Sequence, residues 1–284
     1  MASYTEHFCQ MDDGINIYYR DYGDPGTGKT PVICIPGLTR SSLGFDNLAS
    51  ALCADRRVIC PDLRGRGKSD YDPDFQNYKP GQYVKDVVAV LKDAGIDRVV
   101  VIGTSLGGIV TMVGAAMFDG LWAGAIINDI GPVIESAGLD RIGSYTGKTR
   151  PPEDWDDAVA LCKKSSGAAY PDYSDEEWLH FAQCAYATDG DGNPVDNYDP
   201  NISKTFSSGG GGDMWPLYEK LMDIPVTVIW GDISDILSKD IANQMVTRHP
   251  NAELIAVHNV GHAPNLDEPE SRAGIQRLLE KVDP

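Results

Sequence analysis

Val99-Val100-Val101-Ile102-Gly103-Thr104-Ser105-Leu106-Gly107 decides how this chain is read. It opens a run of twenty uncharged residues, VVVIGTSLGGIVTMVGAAMF from Val99 to Phe118, which is long enough to cross a membrane. Its interior argues otherwise. Four β-branched residues give way to a glycine turn and then to an Ala/Met/Val pattern of helical character. A buried strand, a tight turn and a buried helix account for the lack of charge without a bilayer. The turn is G-x-S-x-G, and the flanking strand and helix give that short pattern its weight. Two glycines permit a bend that larger side chains would block. The Ser105 hydroxyl then stands clear of the sheet beside a helix N-terminus, where the Leu106 N–H and the helix dipole can stabilise an oxyanion.

Outward from that turn, the N-terminal part alternates strands and helices. Strands are expected at Glu6–Cys9, Ile15–Tyr22, Val32–Ile35, Arg57–Cys60, Val99–Ile102 and Ala123–Ile127, with helices at Ser42–Cys53, at Tyr83–Ala94 and after Ser105. The pattern lapses from Asn128 to Pro225. There Ser174-Asp175-Glu176-Glu177 has capping-box spacing, and Pro151-Pro152-Glu153-Asp154 opens a helix to about Lys164. The sheet resumes at Val226–Trp230 and Glu253–Val257, with helices at Lys239–Arg248 and Pro269–Val282. The expectation is an α/β fold: a mostly parallel, doubly wound sheet with a helical cap inserted before the last two strands. The core spans 1–130 and 221–284, the cap 131–220. The glycine run Gly209–Gly212 suggests a moving cap loop.

A serine hydroxyl needs a base and a group that orients the base. His262, in Val260-Gly261-His262-Ala263-Pro264, follows the last strand and precedes the closing helix, so it falls at the edge where Ser105 lies. His258 ends the strand itself, and His7, His180 and His249 have no comparable setting. For the acid, Asp235 in Gly231-Asp232-Ile233-Ser234-Asp235 is the choice, because the longer loop can turn back toward His262. Asp232 reads as a turn-capping carboxylate. Asp129, just after the strand at Ala123–Ile127, is a second candidate at the same edge.

Pro36-Gly37-Leu38, Asp62–Ser69, Gly103–Gly107, Gly231–Asp235 and Gly261-His262 together resemble the α/β-hydrolase-fold serine hydrolases with a helical cap. The likeness covers the chain outside the cap and points to the small esterase, enol-lactonase and meta-cleavage C–C hydrolase branches. It implies the chain order Ser105, Asp235, His262, and a second oxyanion donor in the backbone N–H of Leu38. Relatives often carry His-Gly where this chain has Pro36-Gly37, and Pro36 has no N–H to give. The resemblance also makes Arg64, Arg66 and Lys68 structural; their glycine spacing is not that of a phosphate-binding P-loop. Trp155, Trp178, Tyr186 and Trp215, with Tyr145, are candidates to line an apolar pocket, although a small helical cap also needs aromatics for its own core.

Composition narrows the partners. Of 284 residues, 42 are acidic and 24 basic, a net charge of −18 that disfavours nucleic acid and anionic membranes. Six scattered cysteines show no metal or disulfide spacing, and the N-terminus shows no secretory signal, so the expected setting is cytoplasmic, without metal or organic cofactor. The expected reaction is hydrolysis of a small ester or lactone through an acyl-enzyme. Carbon–carbon cleavage of a vinylogous diketone uses the same triad and is the alternative. A serine at the elbow disfavours epoxide hydrolysis and dehalogenation, which use an aspartate there in this fold. A ligand-sensing protein that retains the triad, or a lyase or cofactor-free oxygenase using His262 alone, would belong to other classes.

Overall fold

The computed structural model describes residues 3–205 and 212–284. In chain order the elements are β1 (Tyr4–Gln10), β2 (Asn16–Tyr22), β3 (Val32–Ile35), α1 (Asp46–Leu52), β4 (Val58–Pro61), α2 (Pro80–Asp93), β5 (Val99–Thr104), α3 (Leu106–Met117) and β6 (Trp122–Asn128). Then come α4 (Ser136–Tyr145), α5 (Trp155–Ser166), α6 (Asp175–Ala185), β7 (Ala187–Thr188), β8 (Pro194–Val195), α7 (Trp215–Tyr218), β9 (Val226–Gly231), α8 (Lys239–Arg248), β10 (Ala252–Val257) and α9 (Pro269–Val282).

Eight strands form one sheet in the order β1-β2-β4-β3-β5-β6-β9-β10. The β1–β2 and β2–β4 pairs are antiparallel, and every pair from β4 across to β10 is parallel. The strand alternation of side chains explains the two-sided burial. Ile33, Ile35, Val99, Val101 and Ile127 face one way and meet α2, α3 and α8. Val32, Cys34, Val100, Ile102 and Ile126 face the other and meet α1 and α9. The central strands are buried along both faces, whereas β1, at one edge, is largely exposed. This is the expected α/β-hydrolase architecture.

Two local differences have simple causes. The segment expected as one helix from Ser42 starts as a 3₁₀ turn over Ser42–Phe45 before α1. Helix α2 begins at Pro80, whose fixed φ and missing N–H suit a first helical position. Between β6 and β9 no strand joins the main sheet among the described residues; β7 and β8 pair only with each other. That insert has its own small core, where Ala158, Cys162, Tyr170, Trp178 and Ala182 pack together. The expected moving loop at Gly209–Gly212 lies, except for Gly212, outside the described residues.

Candidate active site

Ser105 sits at the junction of β5 and α3 with φ +54°, a backbone conformation that is costly for a residue with a Cβ. The glycines on either side make the turn possible. A Cβ on Gly107 would lie 2.1 Å from the Ile35 carbonyl oxygen, and one on Gly103 would lie 2.4 Å from that of Gly107. Any larger residue at either place would push the turn off β3 or off its own helix. Leu106 is the first residue of α3, so its N–H has no intrahelical acceptor. On the facing loop, Gly37 lies against Ser105: a Cβ built on it would meet the Ser105 Cβ at 3.6 Å. The Leu38 carbonyl accepts a 2.9 Å hydrogen bond from Arg66 Nε, which holds that loop in place although Pro36 replaces a side chain that could have done so.

His262 comes from the loop after β10. Its Nε2 lies 2.8 Å from Ser105 Oγ and its Nδ1 lies 2.8 Å from an oxygen of Asp129. With Asp129 ionised, Nδ1 carries the proton and Nε2 is left to accept from the serine hydroxyl. The imidazole is 9 % exposed and the Asp129 side chain fully buried, so the line is shielded from bulk water. Its loop is wedged on two sides. Gly231 supports it from the sheet, since a Cβ there would strike the Val260 carbonyl at 2.3 Å. From the insert, the Ala169 carbonyl accepts from Gly261 N–H at 2.7 Å, while the Tyr170 hydroxyl accepts from Ala263 N–H and donates to its carbonyl.

The expected acid is therefore corrected. Asp235 does not reach His262. It accepts two hydrogen bonds from Arg141 of α4, at 2.5 and 2.8 Å. Burial works against its charged form, and Arg141 more than offsets this, so the carboxyl is held below its ordinary value. Asp129 takes the place at the imidazole because β6 ends directly behind it. Besides His262 it accepts from Gly231 N–H at 2.9 Å and from Ser234 Oγ at 2.5 Å. Thus Ser234, one residue before the expected acid, bonds the carboxylate that reaches the imidazole. Asp129 also has positive φ, +53°, which turns its carboxylate back across the strand ends. Asp232 has the capping role expected of it, bound to His258 Nδ1 and Asn259 N–H.

A cavity of about 520 Å³ opens in front of Ser105 and His262, between the Pro36–Ser41 loop and the insert. This is an ordinary size for a small-molecule site. Of the aromatics expected there, Tyr186 and Tyr145 line it. Trp155, Trp178 and Trp215 do not. Trp178 is buried in the insert's own core against Tyr170, Tyr173 and Phe181. Trp155 packs at the margin of that core and donates to the Gly192 carbonyl. Trp215 packs into the main core and under Arg248. Tyr170, Tyr173 and Phe181 line the cavity instead, and only their place on the insert could have drawn attention to them.

The basic loop is tied into the protein. Arg64 is buried among Asp86, Asp72 and Asp13; Arg66 reaches backbone carbonyls and Tyr83; Lys68 pairs with Glu6. All six cysteines are free. Among the described residues there is no cluster of metal-ligating side chains, and no helix is long and apolar enough to cross a membrane.

A serine on a strand–turn–helix elbow, a histidine after the last strand and an acid at the same sheet edge define an α/β-hydrolase. The α/β hydrolase family matches residues 32–273, and this chain belongs to it. It is similar to a 3-hydroxybutyrate-oligomer hydrolase of Cupriavidus necator, 32% identical over 262 residues that make up 88% of each chain. A crystal structure of an α/β hydrolase from Novosphingobium aromaticivorans superposes with a TM-score of 0.92 at 42% identity, covering 99% of both chains. A 2-(acetamidomethylene)succinate hydrolase of Mesorhizobium japonicum is 23% identical over 267 residues, 94% of this chain and 93% of its own.

Proposed function

We propose that the protein hydrolyses a small carboxylic ester through an acyl-enzyme on Ser105. The observation that carries this reading is the continuous line Ser105–His262–Asp129 at the wall of the cavity. His262 takes the hydroxyl proton as Ser105 Oγ attacks the ester carbonyl carbon. The backbone N–H groups of Leu38 and Leu106 hold the oxyanion, and Asp129 orients the imidazole and stabilises its cation. The tetrahedral intermediate collapses, and the alcohol leaves with the proton from His262. A water, deprotonated by the same imidazole, then cleaves the acyl-enzyme and releases the acid.

The likeness to a 3-hydroxybutyrate-oligomer hydrolase favours an ester of a short hydroxy acid over a diketone. The linear dimer of 3-hydroxybutyrate is therefore the first substrate to try. The test is turnover of that dimer, of p-nitrophenyl butyrate and of a vinylogous diketone, with a mass search for the acyl-enzyme. Ester turnover with an acyl group trapped on Ser105 is expected. Cleavage of the diketone alone, or ester turnover that survives Ser105→Ala, would contradict the reading.

A further inference from the structure

Arg40 stands inside the cavity as a cation without a carboxylate partner. Most arginines of this acidic chain find one: Arg20 pairs with Asp46, Arg56 with Asp283, Arg57 with Asp21 and Arg141 with Asp235, while buried Arg66 spends its donors on backbone carbonyls and Tyr83 instead. Arg40 forms no ion pair among the described residues. Its guanidinium lies 4.1 Å from the centre of the Phe181 ring, and of its five N–H donors one makes a long 3.5 Å contact with the Phe181 carbonyl. Stacking on an aromatic face leaves the edge donors of a guanidinium free to receive a planar, bidentate anion.

The position is as informative as the missing partner. Arg40 is two residues beyond Leu38, and both it and Ser105 line the cavity on either side of Gly37. The Cβ position of Gly37 is 3.6 Å from Ser105 Cβ and 4.0 Å from Arg40 Cγ. The carboxylates around the cavity, Glu176, Glu177, Asp196 and Asp267, are all exposed to water. Glu177 is engaged by Ser174, and Asp267 by Arg272 and Asn47. Water and salt screen that rim, while the cation sits within. Burial raises the hydroxyls of Tyr170, Tyr173 and Tyr186, and in each case the charge of Arg40 opposes it, which fits a guanidinium central to their shared cavity.

We propose that Arg40 binds a carboxylate carried by the substrate a few bonds from the scissile ester, so that the site selects anionic esters over neutral ones. The inference rests on the ester-hydrolase reading and supplies its substrate class. The test compares the linear dimer of 3-hydroxybutyrate with its terminal primary amide, which keeps the same scissile ester and loses the charge. Binding to Ser105→Ala is measured by calorimetry, and kcat/KM on the intact enzyme. A charge-assisted, bidentate contact predicts that the acid binds about 10- to 100-fold more tightly than the amide. Arg40→Gln in the Ser105→Ala background removes that ratio, Arg40→Lys restores part of it, and added salt weakens the acid alone.

Equal binding of acid and amide, no binding of the acid, or a preference that survives Arg40→Gln would overturn the assignment. The Lys variant carries the test if the Gln variant does not fold. Turnover separates the two readings. An Arg40-dependent preference in binding without any hydrolysis would leave the carboxylate site standing and remove the esterase. Hydrolysis of acid and amide at equal kcat/KM would do the reverse.

Discussion

The loops after β6 and β9 leave neighbouring parallel strands at the same edge of the sheet, and each carries an aspartate close to His262. They differ in what closes around the carboxylate. Asp129 is fully buried and receives Gly231 N–H, Ser234 Oγ and the imidazole, all without a competing cation. Asp235 is a third exposed and is held by Arg141, which arrives from α4 of the insert. A carboxylate that must stabilise an imidazolium gains most where no other cation claims it and where little water screens it. The same insert that covers the site therefore removes one candidate acid and leaves the other in place.

Substitutions can break this contrast in order of severity. Ser105→Ala should lower ester turnover by about 10⁴-fold or more and abolish acyl-enzyme formation, measured by steady-state kinetics and intact mass. Asp129→Asn should come next, at about 10³- to 10⁴-fold in kcat with substrate binding retained, because an amide favours the wrong imidazole tautomer. Ser234→Ala removes one donor from Asp129 while leaving the other two, and should cost about 10-fold in kcat. Asp235→Asn should stay within that same 10-fold. A loss on Asp235→Asn as large as on Asp129→Asn would end the comparison.

The smallest effect is a pH dependence of stability that comes from the Asp235–Arg141 pair. Its carboxyl is held below its ordinary value near 3.8, so its pairing contributes stability above that value and loses it as the pH falls through the lowered one. Thermal melts of wild type and Asp235→Asn should therefore differ at pH 6 and converge in strong acid. A difference that persists unchanged in acid would contradict the ion pair.

The contrast also shows where the sequence was legible. Ser105 and His262 could be read because each follows a short apolar strand and a glycine, a local pattern that leaves little choice of geometry. A mostly parallel sheet covered on both faces followed from the repeated apolar strand and helix units, whereas the order of its strands is seen only in the fold. The acid could not be settled that way. Two aspartates end adjacent strands, and the deciding partner, Arg141, lies 94 residues before Asp235 on a helix with no distinctive signal of its own. The cavity lining was obscured for a related reason. Trp178 and Tyr186 are near neighbours in sequence, yet one fills the insert's core and the other faces the cavity, a division made by how α5 and α6 pack.

The most direct test of the account is the rate constant for fluorophosphonate labelling of Ser105 in wild type, Asp129→Asn and Asp235→Asn, since it needs no knowledge of the natural substrate. Slow labelling of Asp129→Asn beside near-wild-type labelling of Asp235→Asn is the predicted result. Fast labelling of Asp129→Asn with slow labelling of Asp235→Asn would contradict the assignment of the acid.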